Sequence, residues 1–389
     1  MQSNNINTFI EKKLKEFSKK NQFRKIFNVR RFKSNVININ KKKKISFSCN
    51  DYLSLSLNKE VINASLIAVK RYGVGAGASR LITGNNILYS ELEEKIKNLK
   101  KVQGCCVFGS GFLANMGVIS ALVNKNDLIL IDELSHASTF LGAKLSGANI
   151  IKFNHNSTID LEKKLIQYRK KYLKCLILTE GVFSMDGDIS PQDKISVIKK
   201  KFNAQLLVDD AHGLGVVGNG SGSSSIFKNK THIDIYIGTL SKAVGAYGGF
   251  VCGNKKLINF IINRCRTQIY TTGLPPGVLA ACIKSIEIIT NDKALIKKPL
   301  QNAIYFCNQL GLTPPLSPIV PIIIGEEKKT IKISKILFNK GYLVGAIRPP
   351  TVPINSSRLR IAFNAAHTKN QIKELARLIK KNLNKHNVK

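Results

Sequence analysis

A chain of 389 residues, 43% of them hydrophobic, can bury a large core, and its length predicts two or three domains. No apolar run approaches the roughly 20 residues of a membrane helix, and the polar start lacks the apolar segment of a secretory signal, so we expect a cytoplasmic protein. The formal net charge of +37 fits a nucleic-acid or other anionic partner, but dispersed lysines among many Ile and Asn residues are also typical of an A/T-rich genome.

Cysteine spacing and the arrangement of the basic residues argue against a metal site and against a nucleic-acid site. The eight cysteines form no C-x-x-C pair and no metal-ligand pattern, so we expect reduced thiols and no metal. The basic residues are not interleaved with aromatic side chains, so we expect neither a nucleic acid nor a membrane as partner. Nucleic-acid binding remains an alternative that the charge alone supports.

The N-terminal segment predicts an arm that precedes the large domain. Apolar residues recur at helical spacing over residues 8–25. Four consecutive lysines, residues 41–44, predict an exposed turn that leads into a strand. The segment Cys49-Asn50-Asp51-Tyr52-Leu53 follows, and a glycine-rich loop over residues 73–84 precedes a helix predicted at 88–100.

The segment 105–117 has the pattern of a strand, a glycine turn and a helix. A helix N-terminus offers free N–H groups and a partial positive charge, which suit a phosphate. The spacing Gly109-x-Gly111-x-x-Ala114, with Asp132 at the end of the next predicted strand, also fits a dinucleotide-binding fingerprint. A nicotinamide-dependent enzyme is therefore an alternative at this point.

Polar residues follow three further predicted strands. His136 comes after the strand at 128–131, Ser184 after the strand at 176–180, and Asp209 and His212 after the strand at 206–208. In open α/β sheets, ligands bind beyond the carboxyl ends of the strands. We therefore expect these side chains to lie in one site.

Lys242 follows an apolar strand predicted at 234–240, in a loop of small residues. A poorly solvated lysine has a lowered pKa and an amine free to form a Schiff base with an aldehyde cofactor. A carboxylate such as Asp209 can keep a pyridine nitrogen protonated. A nicotinamide enzyme has no need for this pair, so the sequence favours pyridoxal 5'-phosphate (PLP).

Gly238-Thr-Leu-Ser-Lys242 resembles the lysine motif of the α-oxoamine synthases, which are PLP enzymes of fold type I. Segments 49–53, 73–84, 179–187 and 346–353 also resemble motifs of this family. The resemblance implies an α/β fold, in which a large domain has a mainly parallel seven-stranded sheet between helices and a smaller C-terminal domain is α+β. It places an N-terminal arm at 1–49, the large PLP-binding domain at 50–285 and the small domain at 286–389.

Within this family, segments 179–187 and 346–353 are most similar to the branch that condenses L-alanine with a pimeloyl thioester of CoA or an acyl-carrier protein, with loss of carbon dioxide. The branch that transfers an acetyl group to glycine is the alternative, or else another α-oxoamine synthase, among which the 5-aminolevulinate and serine palmitoyl branches are more distant options. The family also implies a homodimer, in which Thr271 and Thr272 would reach the partner's phosphate. The basic surface could steer an acidic acyl-carrier protein.

The resemblance also assigns roles to individual residues. The residues implied in catalysis are Lys242, His136 and Asp209. Those implied to hold PLP are Gly111, Phe112, His136, Ser184, Asp209, His212, Thr239 and Lys242. Those implied to bind substrates are Arg24, Asn50, His136, Thr351 and Arg360, with Arg348 as a weaker candidate.

Overall fold

A computed structural model describes residues 5–20, 22–24, 26–33, 35–229 and 231–385. The helices are α1 (Ile6–Lys19), α2 (Lys59–Tyr72), α3 (Leu88–Lys100), α4 (Gly111–Leu122), α5 (Ala137–Ser146), α6 (Thr158–Tyr168), α7 (Gln192–Lys201), α8 (Lys255–Arg264), α9 (Arg266–Ile269), α10 (Pro276–Asn291), α11 (Lys293–Leu310), α12 (Glu327–Asn339) and α13 (Lys369–Lys385). The strands are β1 (Val29–Lys33), β2 (Val36–Ile39), β3 (Lys42–Ser46), β4 (Gly104–Phe108), β5 (Leu128–Asp132), β6 (Asn149–Phe153), β7 (Cys175–Glu180), β8 (Gln205–Asp209), β9 (Ile235–Thr239), β10 (Gly249–Gly253), β11 (Ile319–Gly325), β12 (Tyr342–Leu343), β13 (Gly345–Ile347) and β14 (Ser357–Ala362).

The large sheet has seven strands in the order β4-β10-β9-β8-β7-β5-β6. The strands from β9 to β6 pair in parallel, whereas β10 runs antiparallel to both β9 and β4. Both faces are covered by apolar cores: in β5, Ile129 and Ile131 belong to one core, and Leu128 and Leu130 to another. Burial on both faces explains why these strands are continuous apolar runs. The predicted seven-stranded, mainly parallel sheet is confirmed.

A further hydrophobic core, separate from the two that cover the large sheet, lies in the C-terminal part of the chain. A three-stranded antiparallel sheet, β11-β14-β13, packs with α11, α12 and α13. Phe47 enters the same core, where its ring lies 5.6 Å from that of Phe363, and β3 pairs in parallel with β12. The segment around β3 therefore packs on the C-terminal core, and the domain boundaries at residues 49 and 285 stay a prediction.

Two local expectations differ from the structure. Helix α1 ends at Lys19 instead of continuing to residue 25. Lys44 is not in an exposed turn: it lies in β3, and its Nζ donates to the Phe338 carbonyl at 2.6 Å in the last turn of α12. A cation is favourable there because the C-terminal carbonyls of a helix carry partial negative charge. Among the described residues, no helix combines the length and the apolar character that a membrane crossing requires.

Candidate active site

The site lies at the carboxyl edge of the large sheet. Strands β5, β7, β8 and β9 are parallel and end at Asp132, Glu180, Asp209 and Thr239, so these residues share one edge. Lys242 follows β9 in the short connection that returns the chain in β10. The topology therefore brings the candidate amine to the same edge as the candidate carboxylate.

A hydrogen-bonded chain runs from Lys242 to a buried arginine. Lys242 Nζ lies 2.7 Å from His212 Nε2, and His212 Nδ1 lies 2.7 Å from the Tyr52 hydroxyl. Tyr52 in turn donates to Asn50 Oδ1 at 3.4 Å. Arg360 donates to the same oxygen from both terminal nitrogens at 3.3 Å. Two predicted substrate-binding residues are thus connected to the predicted catalytic lysine.

The environment of Lys242 favours its neutral form. Burial lowers the pKa of Lys242 to about 8, while the nearby carboxylates of Asp209 and Glu180 act in the opposite direction. At pH 7 roughly a tenth of such amines is unprotonated, whereas fewer than one in a thousand would be at the usual pKa of lysine. The lysine is therefore suited both to attack a carbonyl and to accept a proton.

His212 is held as a neutral ring. Burial, followed by the positive charges of Lys242 and Arg360, keeps the pKa of His212 well below its usual value. A neutral imidazole has one N–H and one acceptor nitrogen. When Lys242 is protonated, Nε2 accepts its proton in a hydrogen bond, and the N–H at Nδ1 faces the Tyr52 oxygen. His212 therefore orients the lysine amine.

Asp209 is buried and is held by two donors. Asn115 Nδ2 donates to Asp209 Oδ2 at 2.6 Å, and the Ala211 N–H donates to Oδ1 at 3.0 Å. Asn115 also donates to Ser138 Oγ at 3.1 Å, which lies 2.7 Å from His136 Nδ1. The two predicted catalytic residues Asp209 and His136 are thereby joined through one amide and one hydroxyl.

His136 is exposed toward the cavity, at the N-cap of α5. Desolvation nevertheless lowers the pKa of His136, and Asp209 acts in the opposite direction. The Ser138 N–H donates to His136 Nδ1 at 3.2 Å, which makes Nδ1 an acceptor and assigns the ring proton to Nε2. A neutral ring at this position can stack on a planar heterocycle.

The start of α4 forms a cradle for an anion. Ser110 Oγ caps the helix by accepting the Leu113 N–H at 3.1 Å, and the first turn begins at Gly111 beside Thr239. A Cβ at Gly111 would lie 3.3 Å from Thr239 Cβ, and one at Gly249 would lie 2.3 Å from the Gly111 nitrogen. The two glycines thus let the start of α4, the end of β9 and the start of β10 approach one another closely. The free N–H groups at the start of α4 are suited to bind a phosphate.

A cavity of about 590 Å³ opens beside His136. Arg24 of the N-terminal segment, Ser184 and Thr351 line it together with His136, although they are far apart in sequence. Arg360 Nε donates to the Ser184 carbonyl. Of the predicted substrate-binding residues, Arg24, His136 and Thr351 therefore line this cavity, and Arg360 contacts a residue of its lining. Asn50 lines a separate pocket and is linked to the cavity through Arg360.

The residues present fit PLP. The site offers the desolvated amine of Lys242, a carboxylate on the neighbouring strand and the open N-terminus of α4. In the described part of the chain, the buried polar atoms near this edge that have no hydrogen-bond partner include Ser135 Oγ, Asn115 Oδ1 and Glu180 Oε1. Because unpaired buried polar atoms are rare in folded proteins, they are typical of a site that binds a polar group.

The site also contains Tyr52, Asn115 and Glu180, which were not predicted as site residues from the sequence. Tyr52 lies inside a motif that was recognised, so its position in the motif was an available signal. Asn115 follows Gly111 by one helical turn, which places both on the same face of α4. Glu180 ends β7 beside Asp209, and burial, followed by the charge of Asp209, raises its pKa well above the usual value.

Comparison with known proteins found a matching family model and similar proteins. The family model described as aminotransferase class I and II matches residues 42–379. The 8-amino-7-oxononanoate synthase of Beijerinckia indica subsp. indica is 47% identical over 343 residues, which are 88% of this chain and 89% of that protein. The protein of the same name from Methylocella silvestris is 46% identical over 336 residues, or 86% of this chain and 96% of that protein.

Solved structures share the fold. A serine palmitoyltransferase from S. paucimobilis, with a bound PLP–myriocin aldimine, superposes with a TM-score of 0.91 at 28% identity, over 98% of each chain. The 8-amino-7-oxononanoate synthase from Francisella tularensis superposes with a TM-score of 0.76 at 29% identity, over 89% of this chain and 99% of that one. The similarity therefore extends over both the large sheet and the C-terminal core.

Proposed function

The chain belongs to the family of class I and II aminotransferases, and we propose that within this family it is a PLP-dependent acyltransferase that makes 8-amino-7-oxononanoate in biotin biosynthesis. L-alanine would condense with a pimeloyl thioester, releasing carbon dioxide and the free thiol. Relatives 47% and 46% identical have the name of this enzyme, which supports the assignment. The observation that carries the proposal is the partly buried Lys242, whose pKa desolvation lowers to about 8 near the carboxylate of Asp209.

PLP, when bound, draws the electron pair left at the α-carbon of the amino acid into its protonated ring. Asp209 would keep the proton on the pyridine nitrogen, because Asn115 and the Ala211 N–H hold its carboxylate in place. The N–H groups at Gly111 and Phe112 would bind the phosphate, together with the Thr239 hydroxyl. His136 would lie against the ring face, and Ser184 would donate to the phenolic oxygen. His212 Nε2 would donate to it as well, in the tautomer in which Nδ1 accepts from the Tyr52 hydroxyl.

Lys242 would remove the α-proton of alanine. Its pKa of about 8 leaves a usable fraction of free amine near neutral pH, and the contact with neutral His212 at 2.7 Å directs that amine. Proton removal by a base whose pKa lies near the working pH is efficient. The same lysine would hold the cofactor before alanine arrives.

Arg360 would bind the carboxylate of alanine. Its guanidinium is buried, and Asn50 Oδ1 and the Ser184 carbonyl fix its orientation. Each terminal nitrogen keeps a second N–H, so the charged group can still donate to a carboxylate while Asn50 and the Ser184 carbonyl hold it. A fixed carboxylate orients the bonds at the α-carbon and so decides which of them breaks.

The cavity beside His136 would take the acyl thioester. Its volume of about 590 Å³ is in the range of small-molecule sites, and its apolar lining from Phe140, Phe183 and Val352 suits a methylene chain. Arg24 and Thr351 supply polar contacts at the same cavity. These two residues would orient the polar ends of the acyl substrate.

We also propose a homodimer in the cytoplasm that accepts its acyl group from CoA or from an acidic acyl-carrier protein. Helix α1 has no buried residue, and apolar side chains such as Ile6, Phe9 and Phe17 are exposed on it, which supports burial against a second copy. The formal charge of +37 would attract an acidic carrier. Turnover of a carrier-bound substrate should then fall as ionic strength rises.

The test combines spectroscopy with product analysis. Purified protein with PLP should develop visible absorbance that borohydride abolishes, with the cofactor fixed on Lys242, and it should form 8-amino-7-oxononanoate from L-alanine and pimeloyl-CoA. The Lys242→Ala variant is the control for both signals. Faster turnover of glycine with acetyl-CoA would move the assignment to the glycine branch of the family. A protein that binds no PLP would refute the proposal.

A further inference from the structure

A histidine outside the site joins two loops that line the cavity. The His136 loop, residues 132–136, follows β5, and the Ser184 loop, residues 183–188, follows β7. His155 comes just after β6 and lies between them. Its Nδ1 is 2.9 Å from Asp132 Oδ1, and its Nε2 is 2.8 Å from Asp188 Oδ2. We name these three residues the carboxylate bridge.

Neighbouring groups fix the orientation of the bridge. The Asn156 N–H donates to Asp132 Oδ2 at 2.8 Å, and Asn156 Nδ2 donates to Asp188 Oδ2 at 2.6 Å. The His155 N–H donates to Glu133 Oε1 at 3.0 Å. The ring of Phe183 meets the imidazole edge-on, with the centroids 4.3 Å apart and the planes at 88°. The imidazole therefore cannot rotate without losing several contacts at once.

The geometry requires a cationic ring. Both nitrogens of His155 face carboxylate oxygens, and only an imidazolium has an N–H on each nitrogen. The charged groups that face the ring are Asp132, from the end of β5, and Asp188, from the Ser184 loop. Partial burial acts to lower the pKa of His155, but hydrogen bonds to these carboxylates and their charges outweigh it and raise the pKa to about 10.

The Ser184 loop is also anchored on its other side. Asp186 forms an ion pair with Arg358 of β14, and Arg360 of the same strand donates to the Ser184 carbonyl. The loop is thus held between the carboxylate bridge and β14. It contributes four residues to the lining of the cavity, and the His136 loop contributes four more. The distance between the two loops sets the width of the cavity.

We propose that His155 is a positioning residue: by bridging Asp132 and Asp188, it fixes the separation of the His136 loop and the Ser184 loop, and with it the fit of the acyl thioester. His155 is not among the residues that line the cavity, so it acts through the loops. The identity of the acyl ligand rests on the proposed function, whereas the bridge itself does not.

The first experiment compares His155→Gln with His232→Gln in the holoenzyme. His232 is an exposed histidine next to α7, which makes it a matched control. Glutamine at 155 keeps a polar side chain but cannot supply a cation to both carboxylates. We expect the KM for pimeloyl-CoA to rise about tenfold in His155→Gln, with kcat and the KM for L-alanine changed less than about threefold. The proposal would be overturned if kcat and both KM values changed by the same factor, or if the KM for pimeloyl-CoA did not change.

The second experiment needs no turnover. Hydrogen exchange in residues 132–136 and 183–188 should be at least about tenfold faster in His155→Gln than in His232→Gln, while α7 exchanges alike in both. Nitrogen-15 spectra of the wild-type ring should show two protonated nitrogens at pH 7.5. A neutral ring or unchanged exchange would refute the bridge. If wild-type protein made no product from any pimeloyl thioester, the proposed function would fail, and these two measurements would still decide the role of His155.

Discussion

Replacing Lys242, which is partly buried, should stabilise the protein without its cofactor. In the change Lys242→Met, an apolar chain of similar length takes the place of an amine that burial forces toward its neutral form. The pKa of Lys242 falls from 10.5 to about 8 in the folded state. A lysine whose pKa is lower in the folded than in the unfolded state reduces the free energy of unfolding at every pH below the folded-state pKa. This reduction shrinks as the pH rises from the folded-state pKa to the unfolded-state pKa, and above both it is absent.

The magnitude follows from that shift. A difference of about 2.5 units corresponds to roughly 3 kcal/mol at pH 7, and by pH 10 it falls to about 1 kcal/mol because the folded amine is then neutral. The methionine also loses the hydrogen bond to His212, which costs about 1 kcal/mol. We therefore expect the variant to be about 2 kcal/mol more stable at pH 7 and nearly equal to wild type at pH 10.

Urea unfolding of the two apoproteins at both pH values measures this difference. Lys200→Met, at an exposed position of α7, is the control and should change the free energy of unfolding by less than about 0.5 kcal/mol. A variant less stable than wild type at pH 7, or a difference that stays constant between pH 7 and pH 10, would contradict the inferred environment of the lysine. Stability lost at a position that chemistry requires is a known trade-off at active sites.

Two further changes test the substrate grip and the phosphate cradle. Asn50→Ala removes the acceptor that holds both terminal nitrogens of Arg360, so steady-state kinetics should show the KM for L-alanine rising about tenfold, with a smaller effect on kcat. An unchanged KM would show that Arg360 does not bind alanine. Gly249→Ala places a Cβ 2.3 Å from the Gly111 nitrogen, so the Kd for PLP, measured by fluorescence titration, should rise at least about tenfold. The control is Gly75→Ala, whose new Cβ has no atom within 4 Å and should leave the Kd unchanged. Equal affinity in the two variants would show that the cradle tolerates the shift.

The arrangement of the strand ends could be predicted because two simple rules apply to it. Apolar runs identified β5, β7, β8 and β9, and the residues after them meet at one edge in any parallel sheet. His136, Asp209 and Lys242 can therefore be placed together from the sequence. Their roles came from the resemblance, since spacing alone also allowed a nicotinamide enzyme.

The supporting residues could not be predicted in the same way. Asn115 reaches Asp209 from a helix that is mostly apolar, and Tyr52 reaches His212 across 160 positions of sequence. His155 follows an edge strand and has no motif that marks it as a bridge. Each of these contacts depends on how separate elements pack, and local patterns contain no information on the packing.

The distribution of charge separates the chemistry from the composition. The chain has only 24 acidic residues against 61 lysines and arginines, yet several acidic residues cluster at the carboxyl edge of the sheet, namely Asp132, Glu180, Asp186, Asp188, Asp209 and Asp210. Of these, Asp132, Asp186, Asp188 and Asp210 are paired with His155, Arg358 or Lys100. Removing a partner from a buried charge costs several kcal/mol, whereas exchanging an exposed lysine is nearly neutral. A lysine-rich bias can therefore accumulate on the surface while the carboxylates of the site stay fixed, so the net charge bears on the docking of a carrier and not on the chemistry at the carboxyl edge of the sheet.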